Sequence, residues 1–153
     1  MDALELRVPP PVWAVVFGAI AYGIALLELG LEFSISSSRL GIAIGFVGVV
    51  IAVFAIIDVR AEGTTIDPHH PDETSALVQK GMYRFTRNPM YLGLALVIAG
   101  IAVGHGDILA TIVGVGGFAT VVTRLQIIPE ERALRARFGT RYDEYCEGPR
   151  RWI

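Results

Sequence analysis

The chain has 153 residues, of which 53% are hydrophobic and 18% charged, with a net charge of −2 and a mean hydropathy of +0.54. A soluble domain of this size lacks the interior volume to hide so much apolar sequence, so the surplus must face lipid. The charge balance excludes the basic footprint of a nucleic-acid partner, and a single cysteine, Cys146, excludes an intramolecular disulfide.

Four apolar runs follow in chain order. The first, Val12 to Leu31, carries one charge, Glu28; its leader holds Asp2 and Glu5 against Arg7, and no cleavage signature follows, so a retained helix is expected. Glu28 lies about one turn from the outer end, where snorkelling to water is the ordinary account. The second run, Leu40 to Ile57, is uncharged. Both reach the roughly 17 to 20 residues that a bilayer core requires.

Between the second and third runs lies a polar segment. His69 and His70 sit there within Asp67-Pro68-His69-His70-Pro71-Asp72; with no convergent third ligand, no metal is expected. The third run, Met90 to Gly104, and the fourth, Ile108 to Thr123, reach spanning length only if their flanks are helical. Asn88 is expected to cap the third helix and Pro89 to occupy its first position. The link Gly104-His105-Gly106-Asp107 closes a helical hairpin, with His105 solvated. Pro129 is expected to open a separate C-terminal helix, placing Glu130 and Glu131 at a helix N-terminus where the dipole favours carboxylates. Leu134, Phe138, Tyr142 and Tyr145 fall on one face, an amphipathic helix at the membrane surface that Gly139 can break. The glycines at 41, 45, 48, 114, 116 and 117 fit close helix packing in lipid, with an open ligand groove as the alternative.

The basic residues set an expected orientation. With both termini cytoplasmic, twelve of the thirteen Lys and Arg lie inside and only Arg39 outside. The two cytoplasmic segments, Asp58 to Arg87 and Arg124 to Ile153, can then meet. Singly, their features have ordinary readings: Arg84 and Arg87 as positive-inside anchors, Tyr83 and Tyr91 as interfacial aromatics, the paired glutamates as dipole partners.

Jointly they form a signature. Leu77-Val-x-x-Gly-x-Tyr-Arg-x-x-Arg-Asn-Pro-Met-Tyr-x-Gly93, two spans, then Pro129-Glu-Glu-x-x-Leu-x-x-x-Phe-Gly-x-x-Tyr-x-x-Tyr145 resembles the isoprenylcysteine carboxyl methyltransferase and phospholipid methyltransferase superfamily, over roughly half of the chain. The isoprenylcysteine branch usually carries histidine at the Asn88 position, and the phospholipid branch can show Asn-Pro-Met-Tyr as here. The resemblance implies an all-α integral membrane enzyme, one domain over 1–153, with about four transmembrane helices and a C-terminal interfacial helix. It implies S-adenosyl-L-methionine as cofactor, bound from the cytoplasm, and a small lipophilic acceptor such as a lipid amine or a prenylcysteine-like carboxylate arriving from the lipid bilayer. By position it assigns Leu77, Gly81, Tyr83, Arg87, Asn88, Pro89, Tyr91, Glu130 and Glu131 to the cofactor pocket. Arg87, Glu130 and Arg124 are the catalytic candidates, Arg124 for orienting the acceptor.

Methyl transfer from a sulfonium needs no metal, only a nucleophile held in line within a dry pocket. Two other readings stay open at this stage: an NADPH-dependent reductase of the sterol type, and a non-enzymatic membrane scaffold or subunit. The compact size suggests a prokaryotic plasma membrane; the sequence is silent on oligomeric state.

Overall fold

The computed structural model describes residues 5–27, 38–63 and 76–153, and within these every regular element is helical. The readings made above for Glu28, His69 and His70 fall outside the described residues. Helix α1 is Pro10–Leu26, α2 is Ser38–Ala61, and a 3-10 turn occupies Gly81–Arg84. Helix α3 is Pro89–His105, α4 runs without interruption over Ile108–Phe138, and α5 is Thr140–Glu147.

Two of these helices, α2 with 24 residues and α4 with 31, are long and apolar enough to cross a membrane. Helices α1 and α3 are apolar but have 17 residues each, the short end of what a bilayer core of about 30 Å demands. The outward face of α2 is a row of exposed apolar side chains, with Ile42, Phe46, Val49 and Ile57 at least half exposed and Val53 just under half. Such a surface is stable only against lipid or another protein.

Helices α2 and α3 run antiparallel at backbone contact. A Cβ at Gly41 would stand 2.5 Å from the Gly100 carbonyl, and one at Gly48 would stand 2.5 Å from that of Gly93. Small residues permit this approach, and dispersion and Cα–H contacts reward it. Helix α1 packs antiparallel on α4: Ala21 lies against Gly114, and the Phe17 ring meets Phe118 edge-on with centroids 6.5 Å apart. The core between α1, α3 and α4 gathers Ile98, Phe118, Val122 and Ile127, all essentially inaccessible.

The expected hairpin link is present. Gly106 ends α3 with φ 74°, and the Asp107 carboxylate accepts a 2.7 Å bond from the Ala110 amide at the start of α4. His105 is exposed and edge-on to Tyr22, 5.3 Å away.

Two expectations are corrected. Pro129 opens no new helix: its flanks keep helical dihedrals and α4 continues through it. Glu130 and Glu131 therefore have no free helix N-terminus beside them. The physical reason is a widened turn. Proline cannot donate to the carbonyl four residues earlier, that of Leu125, and the preceding Thr123–Ile127 segment is wound as a π-helix. The freed Leu125 carbonyl accepts instead from the Leu6 amide at 3.0 Å. The chain before α1 is thereby tied to α4, and Gln126 Nε2 to the Val8 carbonyl (2.8 Å) and Arg132 to Glu5 (2.8 Å) strengthen the tie. Asn88 holds the N-cap position, but its side chain makes no cap; it turns to the C-terminal tail. The C-terminal break falls at Gly139, with φ 53°, between α4 and α5.

Candidate functional site

The site forms where α3 begins, α4 leaves the apolar core and the tail after α5 returns. Thr86 pairs with Arg150 in a parallel bridge, and the Arg87 amide donates to the Arg150 carbonyl at 2.9 Å. The Arg151 carbonyl accepts from Thr86 Oγ1 (3.2 Å) and Asn88 Nδ2 (2.9 Å). Trp152 Nε1 reaches Thr123 Oγ1 on α4 at 3.2 Å. The last residues thus strap the start of α3 to the π-wound turn of α4.

Arg87 lies inside this strap, its side chain 16% exposed. Its Nη1 donates to the carbonyls of Pro149 (3.0 Å) and Cys146 (3.3 Å), and its Nη2 to Glu131 Oε1 (3.2 Å). Arg151 approaches the same carboxylate in fork geometry, Nη2 to Oε2 at 2.6 Å and Nε to Oε1 at 3.1 Å. Hydrogen bonding to Glu131 raises the Arg151 pKa. Oε1 of Glu131 thus accepts from both arginines and Oε2 from Arg151 alone.

Glu130 has a different environment. Its carboxyl accepts a hydrogen bond from the Tyr91 hydroxyl and makes no ion pair among the described residues. Tyr83 adjoins it: burial, and then the Glu130 charge, push that phenol far above its ordinary range, so it stays protonated. Tyr145 donates to the Tyr83 carbonyl at 2.8 Å and fixes the 3-10 turn. Burial likewise raises the Tyr145 phenol. A carboxyl without a cation among the described residues, two neutral phenols and the Arg87 Nε, buried with no partner among those residues, lie at one end of the molecule. An unpaired acid beside hydroxyl donors can take a ligand's cation or hydroxyls, and a free guanidinium N–H can take a carboxylate.

The remaining expected residues divide. Gly81 adopts φ 58°, and a Cβ there would stand 2.2 Å from the Asp58 carboxylate. Asp58 accepts a 2.7 Å bond from the Met82 amide. Gly81 thus lets an acid on α2 cap the turn that carries Tyr83. Leu77 is buried, and Pro89 is buried at the first position of α3. Arg124 is exposed in the π-wound turn and, among the described residues, makes no hydrogen bond or ion pair.

Sequence reasoning missed Asp58, Arg151 and Trp152. Asp58 had a signal: an acid at the C-terminal end of an apolar helix opposes the dipole and needs a donor. Arg151-Trp152 follows a Gly148-Pro149 helix stop, a pattern read there only as positive charge.

An all-helical membrane-type bundle whose polar residues collect at one end around a glutamate and an arginine defines the class. The phospholipid methyltransferase family model matches residues 36–141, and the chain belongs to that family. It is 35% identical over 113 residues to protein-S-isoprenylcysteine O-methyltransferase A of Arabidopsis thaliana, covering 72% of this chain and 55% of that protein. It is 29% identical to a probable protein-S-isoprenylcysteine O-methyltransferase of Oryza sativa subsp. indica, covering 72% and 57%. An uncharacterized protein of Haemophilus influenzae matches over its whole length, at 38% identity across 42% of this chain. The chain spans about half the length of the plant relatives. No solved structure matches.

Proposed function

We propose that this chain is a membrane methyltransferase that takes its methyl group from S-adenosyl-L-methionine and delivers it to a small lipophilic acceptor at the cytoplasmic face. The observation that carries the reading is the Glu130 carboxyl, bonded to Tyr91 and adjoined by Tyr83 but matched by no cation among the described residues. At the same end of the molecule Arg87, which holds the neighbouring Glu131, keeps a buried Nε with no partner among the described residues.

The cofactor's groups suit this donor set. Glu130 would take the ammonium or ribose hydroxyls, Arg87 Nε the carboxylate, and the backbone beside Pro89 the adenosine. When bound, the group supplies an electrophilic methyl on a sulfonium. The protein's own residues hold the reactants in line, exclude water and surround the departing sulfur with fixed dipoles. Arg124, exposed at the same end, would orient the acceptor's polar head.

In this reading all four long helices cross the bilayer with both termini cytoplasmic. The 31 residues of α4 measure about 46 Å at 1.5 Å per residue, more than the roughly 30 Å core, so its Glu130 end emerges into the interface. The acceptor is either a lipid amine or a prenylcysteine-like carboxylate.

The test is calorimetric titration of the protein in nanodiscs with S-adenosylhomocysteine and, separately, NADPH. Saturable binding of S-adenosylhomocysteine is expected, weakened at least tenfold in Glu130→Gln and Arg87→Ala, on the order of one lost charge-assisted hydrogen bond. Binding of NADPH alone would instead support a reductase, and binding of neither a scaffold.

A further inference from the structure

Among the described residues, two buried polar atoms away from the Glu130 cluster have no partner. Gln126 is wholly inaccessible, and its Oε1 accepts nothing although its Nε2 is spent on the Val8 carbonyl. The indole Nε1 of Trp13 is buried and donates to nothing. One is an acceptor and the other a donor, so a polar head that carries both a donor and an acceptor has a partner for each.

They share one seam. Along the antiparallel contact of α1 and α4, Ala21 lies against Gly114, Phe17 against Phe118, and Val8 against Gln126. Trp13 falls between Phe17 and Val8 in this register and packs on the cluster that holds Val122 and Ile127. Gln126 belongs to the π-wound turn of α4, one turn before Glu130. A widened turn of this kind re-aims side chains and is frequent at functional sites. Holding both groups buried and unpaired is costly unless something else bonds them.

We propose that this seam receives the polar head of the methyl acceptor, and that the acceptor carries an N–H donor next to an oxygen acceptor. Gln126 Oε1 accepts from that N–H, and Trp13 Nε1 donates to the oxygen. Gln126 and Trp13 are then specificity-determining residues, and the N-terminal segment that holds the Gln126 amide is what fixes its orientation. The lipid tail leaves between α1 and α4 toward the bilayer. An ethanolamine phosphate head and the acylamino acid head of a lipidated cysteine both present this pair of groups. The inference rests on the methyltransferase reading for the word acceptor, not for the existence of the site.

The experiment is calorimetry in detergent with two matched probe pairs. One is N-acetyl-S-farnesylcysteine against S-farnesylthioacetic acid, and the other lysophosphatidylethanolamine against lysophosphatidylcholine; only the first member of each carries the N–H. The wild type is expected to prefer the N–H member of one pair by about fivefold or more, the discrimination typical of one buried hydrogen bond. The pair that discriminates identifies the head. In Gln126→Leu the preference should fall below about twofold, and in Trp13→Phe both members of that pair should bind about threefold more weakly. S-adenosylhomocysteine affinity should stay within about twofold in both variants. Absence of discrimination in the wild type, its retention in Gln126→Leu, or parallel loss of probes and S-adenosylhomocysteine each overturns the proposal. Failure of the wild type to bind S-adenosylhomocysteine would sink the methyltransferase reading alone, because probe discrimination is still read.

Discussion

Adjacent glutamates on one helix have opposite parts here. Glu131 is gripped by Arg87 and by both arms of Arg151, whereas Glu130 bonds to the Tyr91 phenol and, among the described residues, to no cation. Glu131→Gln leaves two partly buried guanidinium groups short of charge and should destabilise the fold by about 2 kcal/mol, read as a lower melting temperature. Glu130→Gln should leave melting within a few degrees of wild type and act on cofactor binding alone. If instead Glu131→Gln melts like wild type and Glu130→Gln collapses the fold, the two roles are reversed. The sequence offered both acids as a pair and gave no means to separate them, because the separation is made by Arg151, 20 residues further on. Arg87, Tyr83, Tyr91 and the glutamates stood out only together, through the family motif they resemble; Gln126 did not, since a lone glutamine after an apolar run is an ordinary helical flank.

Among the elements, the long helix differs most from its expectation. Pro129 looked like a helix start because proline suits a first turn, yet the chain widens the preceding turn and gives the orphaned Leu125 carbonyl to Leu6. That long-range donor leaves no local trace in the sequence. Pro129→Ala restores an amide able to claim the Leu125 carbonyl, so the Leu6 amide should lose its partner. Hydrogen exchange over residues 5–8 should then quicken at least tenfold, the signature of a lost local tie. Unchanged exchange would mean that the Gln126 and Arg132 contacts hold the segment by themselves. The α2–α3 contact was more readable: Gly41 and Gly48 stood at small-residue spacing, and the backbones do meet there. Gly48→Leu has no room to relax against the Gly93 carbonyl and should destabilise by roughly 1 to 3 kcal/mol, measured by thermal unfolding in detergent. A neutral outcome would imply that the helices stand further apart.

Across the whole molecule, the composition announced a membrane protein and the apolar runs located the helices, because lipid imposes both length and content on a span. The polar end was less legible, for its order depends on a tail that returns to the start of α3 through backbone groups any sequence possesses. The proposed orientation has a simple probe: Lys80, highly exposed at that end, replaced by cysteine in a Cys146→Ser background. A membrane-impermeant maleimide should label it in inside-out vesicles and spare it in right-side-out ones; the reverse pattern would invert the topology.

The most direct trial of the whole reading is transfer itself. Membranes containing the protein would be supplied with S-adenosylmethionine bearing a tritiated methyl group, and label would be counted in the lipid extract beside membranes carrying Glu130→Gln. Label that rises with wild-type protein and falls at least tenfold in the variant, the weight of one lost charged contact, is the expected result. Equal label in both, or none above empty membranes, would contradict a methyl-transfer site built around Glu130.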